Sequence, residues 1–177
     1  MPFIWMLSTS FKSLGEVFVF PPTMFGERIV WENYTKISSR FDYFRYFMNS
    51  IKVSVWVVAF QLFTSAMAGF AFSRLQFRFR EQIFLLYLAT MMVPIHVTII
   101  PNFIQMTFYG VVNTLWSLMI PPMVSAFGTF LMRQFFLTVP RELDEAAKID
   151  GCTPFGIFIR ILLPMAGSTI ATLAIFC

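Results

Sequence analysis

Charge is scarce in this sequence, and what there is lies between apolar blocks. Charged residues make up 12% of the 177 positions against 58% hydrophobic ones, and the mean hydropathy is +0.72. So little polar surface cannot cover a soluble globule, which leaves a membrane as the natural solvent. The 24 Phe and 12 Met agree, because one core of this size needs fewer large apolar side chains. Histidine occurs once, at His96, and cysteine only at Cys152 and Cys177, in unlike surroundings. That excludes a disulfide framework, a zinc site and any other metal centre built on these ligands. A net charge of +4 and a pI near 9.3 invite a nucleic-acid reading, but the 13 Lys and Arg form no continuous basic stripe, so no nucleic-acid partner is expected.

Nucleotide and enzyme chemistry are equally poorly provided for. Gly151 and Gly156 have the spacing of the ends of a phosphate loop, yet Ile157 stands where the lysine belongs. There is no H-E-x-x-H, no G-x-S-x-G and no cysteine with a plausible histidine partner, so no catalytic residue and no cofactor is expected. A membrane enzyme would need an intramembrane catalytic pair that the sequence does not offer.

What is present in quantity is uncharged length. The blocks 53–72, 83–104 and 111–132 carry no Asp, Glu, Lys or Arg. Each matches the roughly 20 residues of a spanning helix, in which one central charge costs about 2.5–3.5 kcal/mol. Segment 165–177 reads as the start of a further span, too short here to cross. The apolar stretch Met1–Leu7 is also short, and both ends of the chain are expected to be cut. Segment 8–48 has ordinary polarity, and Pro21-Pro22 followed by Gly26 suggests an extended, turning outer loop within a single membrane domain covering 1–177.

Short loops orient the spans. Arg74, Arg78 and Arg80 lie in 73–82, whereas 105–114 is uncharged, so the arginine loop is expected on the cytoplasmic side. Segment 8–52 then falls outside despite Lys12, Arg28, Lys36, Arg40, Arg45 and Lys52, since long loops follow the rule poorly. Pro94, Pro101, Pro121 and Pro122 interrupt the spans, either as packing geometry or as kinks lining a path. Gln61, His96, Asn102 and Asn113 have the same two readings: a hydrogen bond to a neighbouring helix, or, for Gln61, His96 and Asn102, a place on a path.

The loop 137–164 is the most informative part. Thr138 can cap and Pro140 can open a helix, Glu142, Asp144 and Glu145 suit its positive end, Lys148 suits its negative end, and Gly151 can close it in the left-handed conformation. Thr153 and Pro154 start a second helix at once. Leu143, Ala146, Ala147 and Asp150 share one face, a stripe with small residues in its middle. That face packs either on the membrane domain or on a partner subunit. A passive channel or scaffold would have no use for such a helix.

Glu145-Ala146-Ala147, three residues, Gly151, nine residues, then Ile161-Leu162-Leu163-Pro164 resembles the EAA loop of binding-protein-dependent ABC transporter permeases at every fixed position. Further landmarks, among them Pro2–Lys12, Pro21-Pro22, Asn33-Tyr34, Asn49-Ser50, Ala71–Leu75, Asn113-Thr114 and Arg133–Phe136, are similar in order and spacing to the maltose-type sugar permeases. The resemblance implies an all-α, polytopic transmembrane bundle of the type I importer kind. That family has six spans per subunit, which would leave this chain about three full spans with a partial first and a partial fifth. It also implies a coupling surface of Glu145, Ala146, Ala147, Asp150 and Gly151, with Ile161, Leu163 and Pro164 completing the motif. The implied setting is a bacterial inner membrane. There the chain would pair with a second permease subunit, cytoplasmic ATP-binding subunits that carry out hydrolysis, and an extracytoplasmic solute-binding protein. The solute would be a carbohydrate or, less in keeping with the landmarks, another small molecule.

Overall fold

In a computed structural model that describes residues 2–40 and 42–177, the chain is helical, and the described residues contain no strand. The all-α expectation holds. The chain divides into two compact units, Met1–Ser50 and Ile51–Cys177.

The first unit is folded where an extended loop was expected over 8–48. It contains α1 (Pro2–Ser10), α2 (Leu14–Val17) and α3 (Glu32–Arg40). Its order comes from a few residues far apart in sequence, which periodicity does not register. The Asn33 amide donates to the carbonyls of Ser10 and Lys12, both at 3.0 Å, serving acceptors that the end of α1 leaves open. The Phe11 ring meets Trp31 edge-on at 5.0 Å and lies 5.4 Å from Tyr34. Lys12 is buried, its ammonium donating to the Thr23 carbonyl and lying 4.9 Å from the centre of the Trp5 ring.

In the second unit the expected span 53–72 lies within α4 (Tyr43–Arg74), which among the described helices is the one long and apolar enough by itself to cross a membrane. The expected span 83–104 is not one helix. It divides into α5 (Arg80–Ala89), a tight turn at Thr90–Met92, and α6 (Ile95–Phe108), bent by 99°. Pro94 is the cause, because its ring drives Val93 out of the helical region to φ −79°, ψ 116°.

The expected span 111–132 is broken further, into α7 (Trp116–Met119), a tight turn at Pro121–Met123, and α8 (Ala126–Thr138). The proline pair removes two backbone donors, and Ser125 starts a new helix by accepting from the Gly128 N–H at 3.0 Å. Absence of charge marks a segment as fit for lipid without saying that it is one helix. After α8 come α9 (Glu142–Ile149), α10 (Pro154–Ile157), a wide π turn at Phe158–Leu162, α11 (Leu163–Met165) and α12 (Gly167–Phe176). The stretches 154–165 and 167–176 meet at 74°.

The core of this unit lies where α4 crosses α8. Ser65, Gly69 and Ser73, spaced four apart on one face of α4, put almost no side-chain bulk at the crossing. A methyl group at Gly69 would stand 2.7 Å from Met132 Cβ and 2.9 Å from the Arg133 nitrogen, so the two backbones are nearly in contact. Around it Ala66, Phe70, Met132, Phe136, Val139, Phe158, Leu162, Ala166 and Leu173 are buried together.

Gly69→Leu is therefore expected to separate α4 from α8, at a cost of about 1–3 kcal/mol for overpacking alone. Gly167→Ala, with open space around the added methyl, is expected to be tolerated. Thermal unfolding of the detergent-solubilised protein, followed by size-exclusion of the heated sample, distinguishes the two; equal melting would show the crossing to be looser than described.

Candidate functional site

The helix-turn-helix between α8 and α12 is built largely as the sequence predicts. Gly151 takes φ +81° and closes α9. Its N–H donates to Lys148 at 3.0 Å, and the Cys152 N–H donates to Ala147 at 2.9 Å, a paired closure that serves the last carbonyls of the helix. Thr153 caps the next helix by accepting from the Gly156 N–H at 3.2 Å, with Pro154 in its first turn. Thr138 does not cap α9. It is the last residue of α8, and its hydroxyl donates to the Phe135 carbonyl at 2.7 Å, while Arg141 precedes α9 without a side-chain cap.

The expected stripe of Leu143, Ala146, Ala147 and Asp150 is split between two faces. Ala147 and Asp144 turn inward, whereas Leu143, Glu145, Ala146, Ile149, Asp150 and Gly151 are exposed, Ile149 at 86%. Asp144 explains the rotation. Its carboxylate lies 3.3 Å from Arg74 Nε, in a pair whose side chains are only 13% and 6% exposed, and Arg74 Nη2 donates to the Val139 carbonyl at 2.7 Å. The pairing residue is seventy positions away, beyond the reach of any local pattern.

Ile161 and Leu163 pack against the core, Leu162 between them is fully buried, and Pro164 is exposed. The π turn has a reason in the same proline: a proline ring clashes with the carbonyl four residues back, here Arg160, and a wider turn relieves the clash. A second arginine, Arg133, binds Glu81 with Nη2 at 2.9 and 2.8 Å from the two carboxylate oxygens, donates through Nε to the Phe72 carbonyl at 3.2 Å, and lies 4.2 Å from the centre of the Phe84 ring. Together the two arginines join the ends of α4, α5, α8 and α9.

The residues considered for a path are not brought together. Gln61 donates to the Pro122 carbonyl at 2.6 Å, and the Thr64 hydroxyl lies 2.9 Å from the Met123 carbonyl, so α4 supplies donors to the broken segment. His96 is exposed and Asn102 half-buried, both on α6, and neither side chain hydrogen-bonds a neighbouring helix among the described residues. Asn113 instead takes φ +63° in a turn, a conformation that asparagine tolerates.

The second unit is thus all-helical among the described residues, with one unbroken span-length helix, several bent segments and a capped helix-turn-helix between α8 and α12. Residues 40–177 match the model of the family described as binding-protein-dependent transport system inner membrane component. The chain is 34% identical over 169 residues to the arabinooligosaccharides transport system permease protein AraQ of Halalkalibacterium halodurans, covering 95% of this chain and 59% of the relative. It is 39% identical over 129 residues to the sn-glycerol-3-phosphate transport system permease protein UgpE of Agrobacterium fabrum, covering 73% and 46%. Its fold matches a chain in the crystal structure of a bacterial ABC transporter involved in the import of the acidic polysaccharide alginate, with a TM-score of 0.87 at 25% identity, covering 99% of this chain and 62% of that one. The chain thus belongs to the family of inner membrane components of binding-protein-dependent transport systems. It spans about three fifths of the length of the AraQ protein it matches.

Gly151→Ala is expected to cost about 1–2 kcal/mol, the penalty of a side chain in left-handed backbone, although nothing lies within 4 Å of the added methyl. Gly156→Ala, at ordinary contact distance from Thr153 Oγ1 and without positive φ, should be nearly silent. Hydrogen exchange at the α9 amides reads the difference: faster exchange in Gly151→Ala alone is the expected result.

Proposed function

We propose that this chain is part of a permease subunit of an ATP-driven importer, that it forms part of the solute path across a bacterial plasma membrane, and that α9 is the surface on which a cytoplasmic ATP-binding subunit docks. The observation that carries this reading is the division of α9 into two faces. Its base is fixed by Asp144, Ala147 and the Gly151 closure, while Glu145, Ala146, Ile149 and Asp150 stand exposed. The exposed face admits a partner closely at Ala146, with Glu145, Ile149 and Asp150 offering charged and apolar contacts around it. Orientation supports it as well. Arg74 contacts Val139 and Asp144, so the arginine loop and α9 lie at one end of the unit, the end that the positive-inside rule assigns to the cytoplasm.

In this mechanism the chain hydrolyses nothing. Closure of the ATP-binding subunits moves α9, and the helices joined to it follow, exposing the path alternately to the two sides; a solute-binding protein outside delivers the solute, and a second permease subunit forms the other half of the path. Nucleotide drives such a shift only through contacts that differ between the states, and the exposed face of α9 is where they differ. The solute class supported best is carbohydrate, from the relative named for arabinooligosaccharides and the alginate importer. The relative named for sn-glycerol-3-phosphate supports a second reading, another small polyhydroxylated solute.

Glu145→Lys reverses a charge on the exposed face, and Gly151→Val misplaces the helix end. In the full-length subunit co-expressed with its ATP-binding subunit and partner permease, each is expected to lower ATPase co-purification or solute-stimulated hydrolysis at least tenfold while membrane insertion persists. Normal ATPase retention and stimulation in both variants would remove α9 as the docking surface.

A further inference from the structure

We infer that the Arg74–Asp144 pair is a positioning link that carries the movement of α9 into α4, and that it is distinct from the surface on which the ATP-binding subunit docks. The inference rests on the docking reading above and adds to it the route by which motion leaves the docked helix. Arg74 is the last residue of α4, the one unbroken span-length helix among those described, and Asp144 lies in the first turn of α9. From the end of α4 its guanidinium therefore reaches two other elements, the Val139 carbonyl just beyond α8 and the carboxylate of α9.

Little else ties α9 to the unit by its side chains. Ala147 is its one buried apolar residue, and an alanine gives too small a knob to resist sliding or rolling. The Gly151 closure fixes the far end of the helix but belongs to its own turn. A helix pushed from its exposed face would slip on a contact of this kind unless its inner face were tied to a rigid element, and Asp144 is the residue that ties it.

A purely stabilising role explains the pair poorly. Taking two charges out of water costs about as much as their attraction returns, unless hydrogen bonds satisfy the remaining donors and acceptors. Here Asp144 Oδ1 and Arg74 Nε have no hydrogen-bond partner among the described residues, so the contact is an ion pair at 3.3 Å without the geometry of a bond. Such a pair contributes position more than stability.

The test uses the full-length subunit assembled with its partner permease, ATP-binding subunits and solute-binding protein in lipid nanodiscs. Asp144→Asn keeps the shape and removes the charge; the double variant Arg74→Met/Asp144→Leu removes both charges and leaves no unpaired buried ion. Both are expected to hold the ATP-binding subunit while stimulation of hydrolysis by loaded solute-binding protein falls about tenfold; the double variant should melt within a few degrees of the parent, and Asp144→Asn, which leaves Arg74 unpaired, should melt lower. Full stimulation in either folded variant overturns the inference, as does loss of the ATP-binding subunit in step with loss of stimulation, which would make the pair part of the docking surface. Glu145→Lys in the same preparation separates the two proposals: if it uncouples and Asp144→Asn does not, the link alone falls, and if neither uncouples, the docking reading falls with it.

Discussion

The close approach of α4 and α8 at Gly69 is the constraint on which the rest of the second unit depends. In a bilayer no hydrophobic force pulls helices together, since lipid is as apolar as leucine, and association relies on close packing and interhelical hydrogen bonds. Ser65, Gly69 and Ser73 provide a nearly flat face, and Gly128 on α8 lets Ser65 and Leu173 approach from two sides. The approach also decides which polar contacts exist. With the backbones this near, the Phe72 carbonyl falls within reach of Arg133, and the exit from α8 falls within reach of Arg74. A wider crossing would leave both arginines without these partners.

Backbone accounting explains where the polar residues of the spans go. Pro121 and Pro122 break the hydrogen-bond ladder, and carbonyls at the break would be costly in lipid. Gln61 and Thr64, one helical turn apart on α4, lie against the Pro122 and Met123 carbonyls. Gln61 thus acts in packing, whatever else it lines. The same logic applies at Pro164, where widening the helix into a π turn accommodates the ring within a continuous helical stretch. The proline pair is thus matched by donors from a neighbouring helix, and Pro164 by a change of helical pitch.

Which features were legible in the sequence follows from the range of the interactions behind them. The helical membrane class, the Gly151 closure and the Thr153 cap rest on composition or on contacts within a few residues, and all were read correctly. The breaks at 90–94 and 120–125 were read as kinks within single spans because uncharged composition is indifferent to helix continuity. The inward turn of Asp144 was missed because a carboxylate in the first turn of a helix has a sufficient local reason, the helix dipole, and its partner Arg74 had an equally sufficient one in the positive-inside rule. Each residue had a complete local explanation, which hid the pair. The order of segment 8–48 was missed for a similar reason, since Asn33 and Phe11 act across more than twenty residues.

Arginine at 74 and 133 does something that lysine would not. Each guanidinium meets a backbone carbonyl and a carboxylate at once, in different directions: Arg74 donates to the Val139 carbonyl and pairs by charge with Asp144, and Arg133 donates to the Phe72 carbonyl and to Glu81. A planar fork with several donors spans such divergent acceptors, whereas an ammonium is a single strongly hydrated point. Helix ends carry open carbonyls and α4 ends where three other elements begin or end, so an arginine there closes the backbone account and joins the elements in one step. Arg74, one of the charges that the positive-inside rule counts, is thus also a group that ties helix ends together, joining α4 to the exit of α8 and to α9.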